Sequence, residues 1–264
     1  MNEYFSGKKL YGNDFDINQI KKWFEDEKEG YSGLISGDEY TYDFHAVNMI
    51  HGYNKIKHVN KFDKVLSFGG AKGEEIRPIL NKTGDILIIE PSKKLRVKEI
   101  DGKKVKYIEP NASGKINLPD KSIDLITVFS VLHHIPNVEF VFGELIRVLK
   151  TGGFIIIREP IVSMGDWTKP RKGLTKRERG IPLNFFREII KKKDMKIISE
   201  RKILFPIVRR INIGRMTGGN SNFFVGIDYI LSRLFSWNDR YHSTRFWHKI
   251  RPQSVSYVLK KDDY

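Results

Sequence analysis

The chain has 264 residues, 40 % of them hydrophobic and 30 % charged, with no cysteine and a formal net charge of +15. The missing cysteines exclude disulfides, thiolate zinc sites and cysteine nucleophiles. With no run of about 18 apolar residues and an opening MNEYFSGKKLYGNDFD that lacks an apolar core, neither a membrane span nor a secretory signal is predicted, and a cytoplasmic location is expected. The charge is lopsided: residues 1–150 hold 23 Lys and Arg against 22 Asp and Glu, residues 151–264 hold 24 against 10. A field of one sign gathers opposite charge, so the second half is expected to face phosphates.

In chain order, INQIKKWFEDEK (17–28) spaces Ile17, Ile20 and Phe24 along one predicted helical face, and DFHAVNMIHGYNKIKH (43–58) does so with Phe44, Val47, Ile50 and Ile56. Between them GYSGLISGDEY reads as a loop. Short continuous apolar runs then follow at KVLSF (64–68), DILIIEP (85–91), VKYIE (105–109), IDLITVF (123–129) and GFIIIREP (153–160). Runs without alternation suit strands covered on both faces. Helical spacing falls between several of them, most clearly VEFVFGELIRVLK (138–150) before the turn TGG. This βαβ alternation predicts a parallel sheet. Beyond residue 160 come a basic loop (168–180), a helix at 182–193, a strand at 195–201, a helical stretch at 222–237 and a last strand at 254–260. The expected division is an N-terminal helical cap (1–60), an α/β core (61–202), an inserted lobe or lid (203–253) and a final core strand (254–264).

Ligands of open α/β sheets sit at the carboxyl ends of strands where the chain order reverses. VLSFGGAKGEE ends the first strand in a glycine loop at Gly69, Gly70 and Gly73. Such a loop lets backbone approach a ligand, although it also suits a bare strand-to-helix turn. Glu90, at the end of the second strand, stands where a carboxylate accepts both hydroxyls of a ribose. A dinucleotide fingerprint needs a small residue at 74, where Glu74 stands, and a pyrophosphate would meet Glu74 and Glu75 at the helix start. An adenosine ligand with a sulfonium and no phosphate tolerates both.

With LPDKSID, VLHH and RVLKTGG following in order, residues 60–160 resemble the class I S-adenosylmethionine-dependent methyltransferases, in particular the group with an LHH segment after the fourth strand. The resemblance implies a Rossmann-like, seven-stranded, mostly parallel sheet with N-terminal helices and an inserted substrate lobe, and S-adenosyl-L-methionine as cofactor. It assigns Gly69, Gly70 and Gly73 to the methionine part, Glu90 to the ribose and Asn111 and Ala112 to the adenine edge, with Ser67 and Ser130 as further cofactor contacts. Two departures stand out. The family carries an acid where Ser67 stands and a glycine where Ala71 stands.

Methyl transfer to a hydroxyl wants a base. His133 or His134 is the candidate, the alternative being that the pair packs beside the cofactor without moving a proton. Arg158 and Glu159, at the end of the fifth strand, would orient acceptor hydroxyls or phosphate, or pair with each other. Lys169, Arg171, Arg177 and Arg179 would grip a diphosphate, or form a solvated charge run. No metal is expected. The lobe's aromatic and arginine residues suit stacking on sugars or bases, contact with an anionic membrane, or a small core of their own. The expected function is O-methylation of a phosphate-bearing sugar or glycan precursor, nucleotide- or lipid-linked. The alternatives are methylation of a nucleic acid or another small molecule, and a non-catalytic binding domain of the same fold.

Overall fold

The structure, a computed structural model, describes residues 1–30, 42–213 and 216–262. The loop expected at 30–40 therefore lies outside the described residues from position 31 onward. Strands β1 (Phe62–Phe68), β2 (Thr83–Ile89), β3 (Glu99–Ile100), β4 (Lys103–Ile108), β5 (Ile123–Phe129), β6 (Leu149–Pro160) and β7 (Met195–Ile203) follow one another. A small hairpin, β8 (Asn212–Ile213) with β9 (Met216–Thr217), precedes β10 (Ser254–Lys261). The helices that frame the site are α1 (Asn2–Phe5), α2 (Ile17–Glu27), α3 (His45–His51), α4 (Val138–Val148), α5 (Leu183–Lys192), α6 (Pro206–Arg209) and α7 (Asn222–Leu234).

The large sheet runs β3-β4-β2-β1-β5-β6-β10-β7. Strands β4, β2, β1, β5 and β6 are parallel, and β10 lies antiparallel between β6 and β7. Eight strands, not seven, make the sheet, because the two-residue β3 adds an antiparallel edge to β4. The continuous apolar runs are explained by burial on both faces: Val65, Leu66, Leu125, Ile126 and Ile155–Ile157 have no exposed surface. One face packs on α4 and α5 through Phe142, Leu145 and Phe186; the other packs on Tyr53, Ile56, Ile76 and Ile79. Each such side chain contributes about 1.5–3 kcal/mol of transfer free energy. From β1 the chain goes to β2 on one side and later returns to β5 on the other, which leaves a crevice at their carboxyl ends.

Three helices differ from expectation. Asp16 caps α2, its carboxylate accepting from the Asn18 and Gln19 N–H groups at 2.8 and 2.9 Å. The buried face of α2 is Ile20, Trp23 and Glu27, while Ile17 points to solvent. The helix expected over 43–58 breaks at Gly52 into α3 and a 3-10 turn, Tyr53–Ile56. The α4 helix also stops early, at Val148, because Leu149 already pairs with Ile123 of β5.

Candidate active site

At the crevice the chain encloses a cavity of about 460 Å³, within the size range of small-ligand sites. Gly69, Gly70, Glu90, Asn111, Ala112 and Ser130 all line it, as do His133, His134 and Arg158. Ser67 and Gly73 do not. Gly73 is a left-handed turn, φ +76°, whose added Cβ would fall 2.4 Å from Ile100 Cδ1, so its role is the turn into the 3-10 helix Glu74–Lys82. Ser67 is fully buried and donates its hydroxyl to the Glu75 carboxylate, a short contact.

That contact brings in a residue which the sequence did not single out as a ligand. Glu75 lines the cavity and is buried. Its carboxylate lies directly behind Gly70, where a Cβ would come within 2.6 Å of Glu75 Oε1 and 1.7 Å of Ser67 Oγ. Burial above all pushes the Glu75 carboxyl up to about 7. Residue 67 lacks a charge, and the acid eight positions later puts one into the same wall.

Glu90 is buried, with one backbone donor on each oxygen: the Ala71 N–H reaches Oε2 at 3.1 Å and the Ser92 N–H reaches Oε1 at 2.9 Å. Each oxygen keeps a lone pair for a further donor. Burial first of all raises this carboxyl too, against those two backbone donors. Ala71 adopts φ +47° and is pinned by the Tyr107 hydroxyl on its carbonyl at 2.8 Å. The left-handed conformation costs a non-glycine residue about 1–2 kcal/mol, and this wall of contacts holds it there.

His133 and His134 pack with ring centroids 4.1 Å apart and planes tilted by 41° in the 3-10 turn after β5. Glu159, with no exposed surface, accepts the Val131 and Leu132 N–H groups at 2.7 and 2.8 Å and the His133 Nδ1–H at 2.8 Å. Burial holds the His133 imidazole below its usual range, so it is neutral near pH 7 and its Nε2 carries the free lone pair. His134 bonds through Nδ1 to Glu27 Oε2 at 2.8 Å, and Thr175 and the Arg177 N–H also hold Glu27. His133, His134 and Glu178 offer ligand atoms within 4.8 Å of one another, but both Nδ1 atoms are engaged by glutamates.

The acceptor residues sort differently from expectation. Arg158 is buried in the cavity wall, donates to Asn48 Oδ1 at 3.1 Å and Ser130 Oγ at 3.0 Å, and lies 4.1 Å over the Phe44 ring. Among the described residues it has no carboxylate partner. Glu159 turns away to hold His133, so it is no acceptor ligand and does not pair with Arg158.

The basic loop also needs correction, since Lys169, Arg171, Arg177 and Arg179 all lie outside the cavity lining. Arg179 is fully buried and donates to the carbonyls of Tyr11, His133, Ile135 and Pro136. Arg171 donates to the Met164 and Thr175 carbonyls, Arg177 pairs with Asp26 at 2.8 Å, and Lys169 pairs with Asp166 at 3.5 Å. Replacing Arg171 and Arg177 together with alanine is therefore expected to lower stability by about 1–3 kcal/mol in urea unfolding. Cofactor-product affinity and acceptor KM should stay unchanged. A raised acceptor KM would return these arginines to the site.

Residues 66–157 match the sequence model of a methyltransferase domain. That part of the chain is similar to methyltransferase domains. Over 107 residues the chain is 30 % identical to the ubiquinone/menaquinone biosynthesis C-methyltransferase of Shewanella pealeana, a match covering 36 % of this chain and 42 % of that relative. The chain thus spans less than half the length of that curated relative. Two solved structures share the fold. An S-adenosylmethionine-dependent methyltransferase from Mesorhizobium loti aligns with TM-score 0.52 at 13 % identity, over 81 % of this chain and 99 % of that one. A (4+2)-cyclase, SpnF, aligns with TM-score 0.58 at 12 % identity, over 95 % and 98 %.

The cavity has features that fit the S-adenosylmethionine expected from the sequence. The Gly69–Gly70 backbone leaves no space behind it for a Cβ, since one on Gly69 would meet Val131 Cγ1 at 2.4 Å. Glu90 keeps acceptor capacity for ribose hydroxyls, and Asn111 and Ala112 face the same hollow. No helix among the described residues is long and apolar enough to cross a membrane.

Proposed function

We propose that this protein is an S-adenosylmethionine-dependent methyltransferase whose acceptor carries an anionic group, foremost the phosphate of a sugar or glycan precursor that is nucleotide- or lipid-linked. The observation that carries the anionic acceptor is Arg158: a buried guanidinium facing the cavity with no carboxylate partner among the described residues. A buried charge left uncompensated is expensive, and a phosphate on the acceptor supplies the missing partner through a bidentate contact. Arg209 adds a second guanidinium to the rim of the same cavity.

When bound, the cofactor supplies an electrophilic methyl on a sulfonium. Glu90 holds its ribose hydroxyls, and Glu75 provides the carboxylate for its ammonium group that position 67 lacks. Glu75 and the pinned Ala71 support a working cofactor site despite the departures at positions 67 and 71. His133 Nε2 takes the proton of an acceptor hydroxyl, and Glu159 fixes its tautomer and orientation. Wall residues exclude water: Phe44, Phe68, Ile89 and Phe129 line the cavity.

Calorimetric titration with S-adenosylhomocysteine tests the pocket. Micromolar affinity is expected, and no heat at millimolar ligand would overturn the cofactor reading. Arg158→Gln then tests the acceptor: its KM should rise about 30–100-fold, since removing one partner of a buried charge contact costs 2 kcal/mol or more. Affinity for S-adenosylhomocysteine should not change. An unaltered KM for phosphorylated acceptors would remove the phosphate from the reading.

A further inference from the structure

The inserted lobe has apolar side chains where a soluble surface has polar ones. Residues 203–253 are 51 of the 264, yet they carry ten of the fifteen large apolar side chains exposed among the described residues. The α7 helix shows the arrangement best. Phe223, Ile230 and Leu234, with Trp237 just beyond, recur at helical spacing and are all exposed, Trp237 by 77 %. The buried face of α7 carries Val225, Asp228 and Ser232, with Asp228 accepting the Leu204 and Phe205 N–H groups. The helix is amphipathic with its apolar face outward, so this stripe is not the lobe's own core. Ile207 on α6 and Ile213 and Met216 on the β8–β9 hairpin extend the exposed apolar surface.

Charge selects the occupant. The lobe holds eight Lys and Arg against two acids, Asp228 and Asp239. Asp228 is buried and Asp239 is paired with Lys202. A second copy would bring two strongly basic faces together, and like charge opposes that contact. A nucleic acid stacks on rings but has no use for Ile207, Ile230 and Leu234. A bilayer surface with anionic headgroups matches both features, the apolar stripe entering the acyl boundary and the arginines meeting the headgroups.

We propose that α6, the hairpin and the outward face of α7 dock this protein on an anionic lipid bilayer without spanning it. Arg209, two positions after exposed Ile207 on the four-residue α6, lines the cavity, so this short helix stands between the docked surface and the cavity. An acceptor anchored in the bilayer would enter past Arg209; this consequence rests on the methyl-transfer reading, whereas the docking does not.

The test is partition of the full chain onto vesicles of phosphatidylcholine alone and of phosphatidylcholine with phosphatidylglycerol. Sedimentation and tryptophan emission are the readouts. Trp23 and Trp167 are buried while Trp237 and Trp247 are exposed, so a blue shift on vesicle addition reports the lobe. Binding about 10–100-fold tighter to the anionic vesicles, weakened by salt, is expected. The double change Phe223→Ser and Leu234→Ser should lower that partition about tenfold or more while leaving S-adenosylhomocysteine binding intact. Equal partition onto both vesicles overturns the anionic assignment. Self-association that removes the exposed tryptophan signal without lipid, or binding to RNA but not to vesicles, overturns the docking. A chain that binds S-adenosylhomocysteine but neither vesicle refutes the docking alone. One that docks without binding S-adenosylhomocysteine refutes the methyltransferase reading alone.

Discussion

Glu159→Leu is expected to lower the stability of the fold by about 3–5 kcal/mol and to abolish turnover. The leucine fills the space but leaves the Val131 and Leu132 N–H groups without the acceptor they now share, and buried orphaned donors cost about 1–3 kcal/mol each. It also frees the His133 Nδ1–H, so the imidazole loses its fixed tautomer. Because the leucine variant can fail through folding alone, Glu159→Gln separates the two effects. Its amide oxygen can keep the backbone donors while its NH₂ group cannot accept from Nδ1–H. Turnover should then fall about 10²–10⁴-fold with a much smaller change in the urea midpoint. Adding His133→Asn to it should produce little further loss, because the two residues act as one unit. If Glu159→Gln turns over at the wild-type rate, His133 is not the base.

The second large effect is at Glu75, where stability and ligand binding are expected to move in opposite directions. Its carboxyl is raised to about 7, burial being the first cause. A carboxyl that binds its proton more tightly folded than unfolded makes the chain most stable below its unfolded value. That contribution then fades as the pH climbs to about 7. The integrated loss is about 3 kcal/mol. Glu75→Gln keeps the shape and the Ser67 contact but never ionises, so above pH 7 the variant should be the more stable protein by about 2–3 kcal/mol. Below about pH 4.5 the difference should vanish. The lowered His133 slopes the other way below its usual range in both proteins, so it cancels in the comparison. The same variant should bind S-adenosylhomocysteine about 10–100-fold more weakly, having lost a charge-assisted contact of roughly 1.5–3 kcal/mol. Methylthioadenosine, which lacks the ammonium group, should bind it as it binds the wild type. Equal weakening for both ligands would detach Glu75 from the ammonium.

The strands were readable in the sequence because burial on both faces leaves no polar alternation to interpret: IDLITVF is β5 to the residue. The crevice was readable for a similar reason, since Gly69, Gly70 and Glu90 owe their places to strand ends, which short apolar runs mark well. Single-face patterns were less reliable. Trp23 and Glu27 share the buried side of α2 with Ile20, and a charged residue at the end of that stripe hid it.

The basic loop was least legible. A run such as TKPRKGLTKRERG shows how many guanidiniums there are, but what they meet is backbone carbonyl and Asp26 brought from elsewhere in the chain. Arg209 and Phe44 were hidden likewise, because the cavity wall collects them from the lobe and from the segment before β1. Glu75 carries a weak signal in the sequence, a charge unfriendly to pyrophosphate at a helix start, and only the turn at Gly73 aims it back at Ser67.

The place of β10 in the sheet bears on how the chain comes to be folded during synthesis. Strands β6 and β7 never touch as neighbours; residues 254–261 lie between them and bond to both. Until the ribosome has released that stretch, two long strand edges stay open, and such edges invite pairing with other chains. A nascent chain stalled before residue 254 would hold every cofactor-facing residue proposed above and still be an aggregation hazard, a task for chaperones rather than a working fragment.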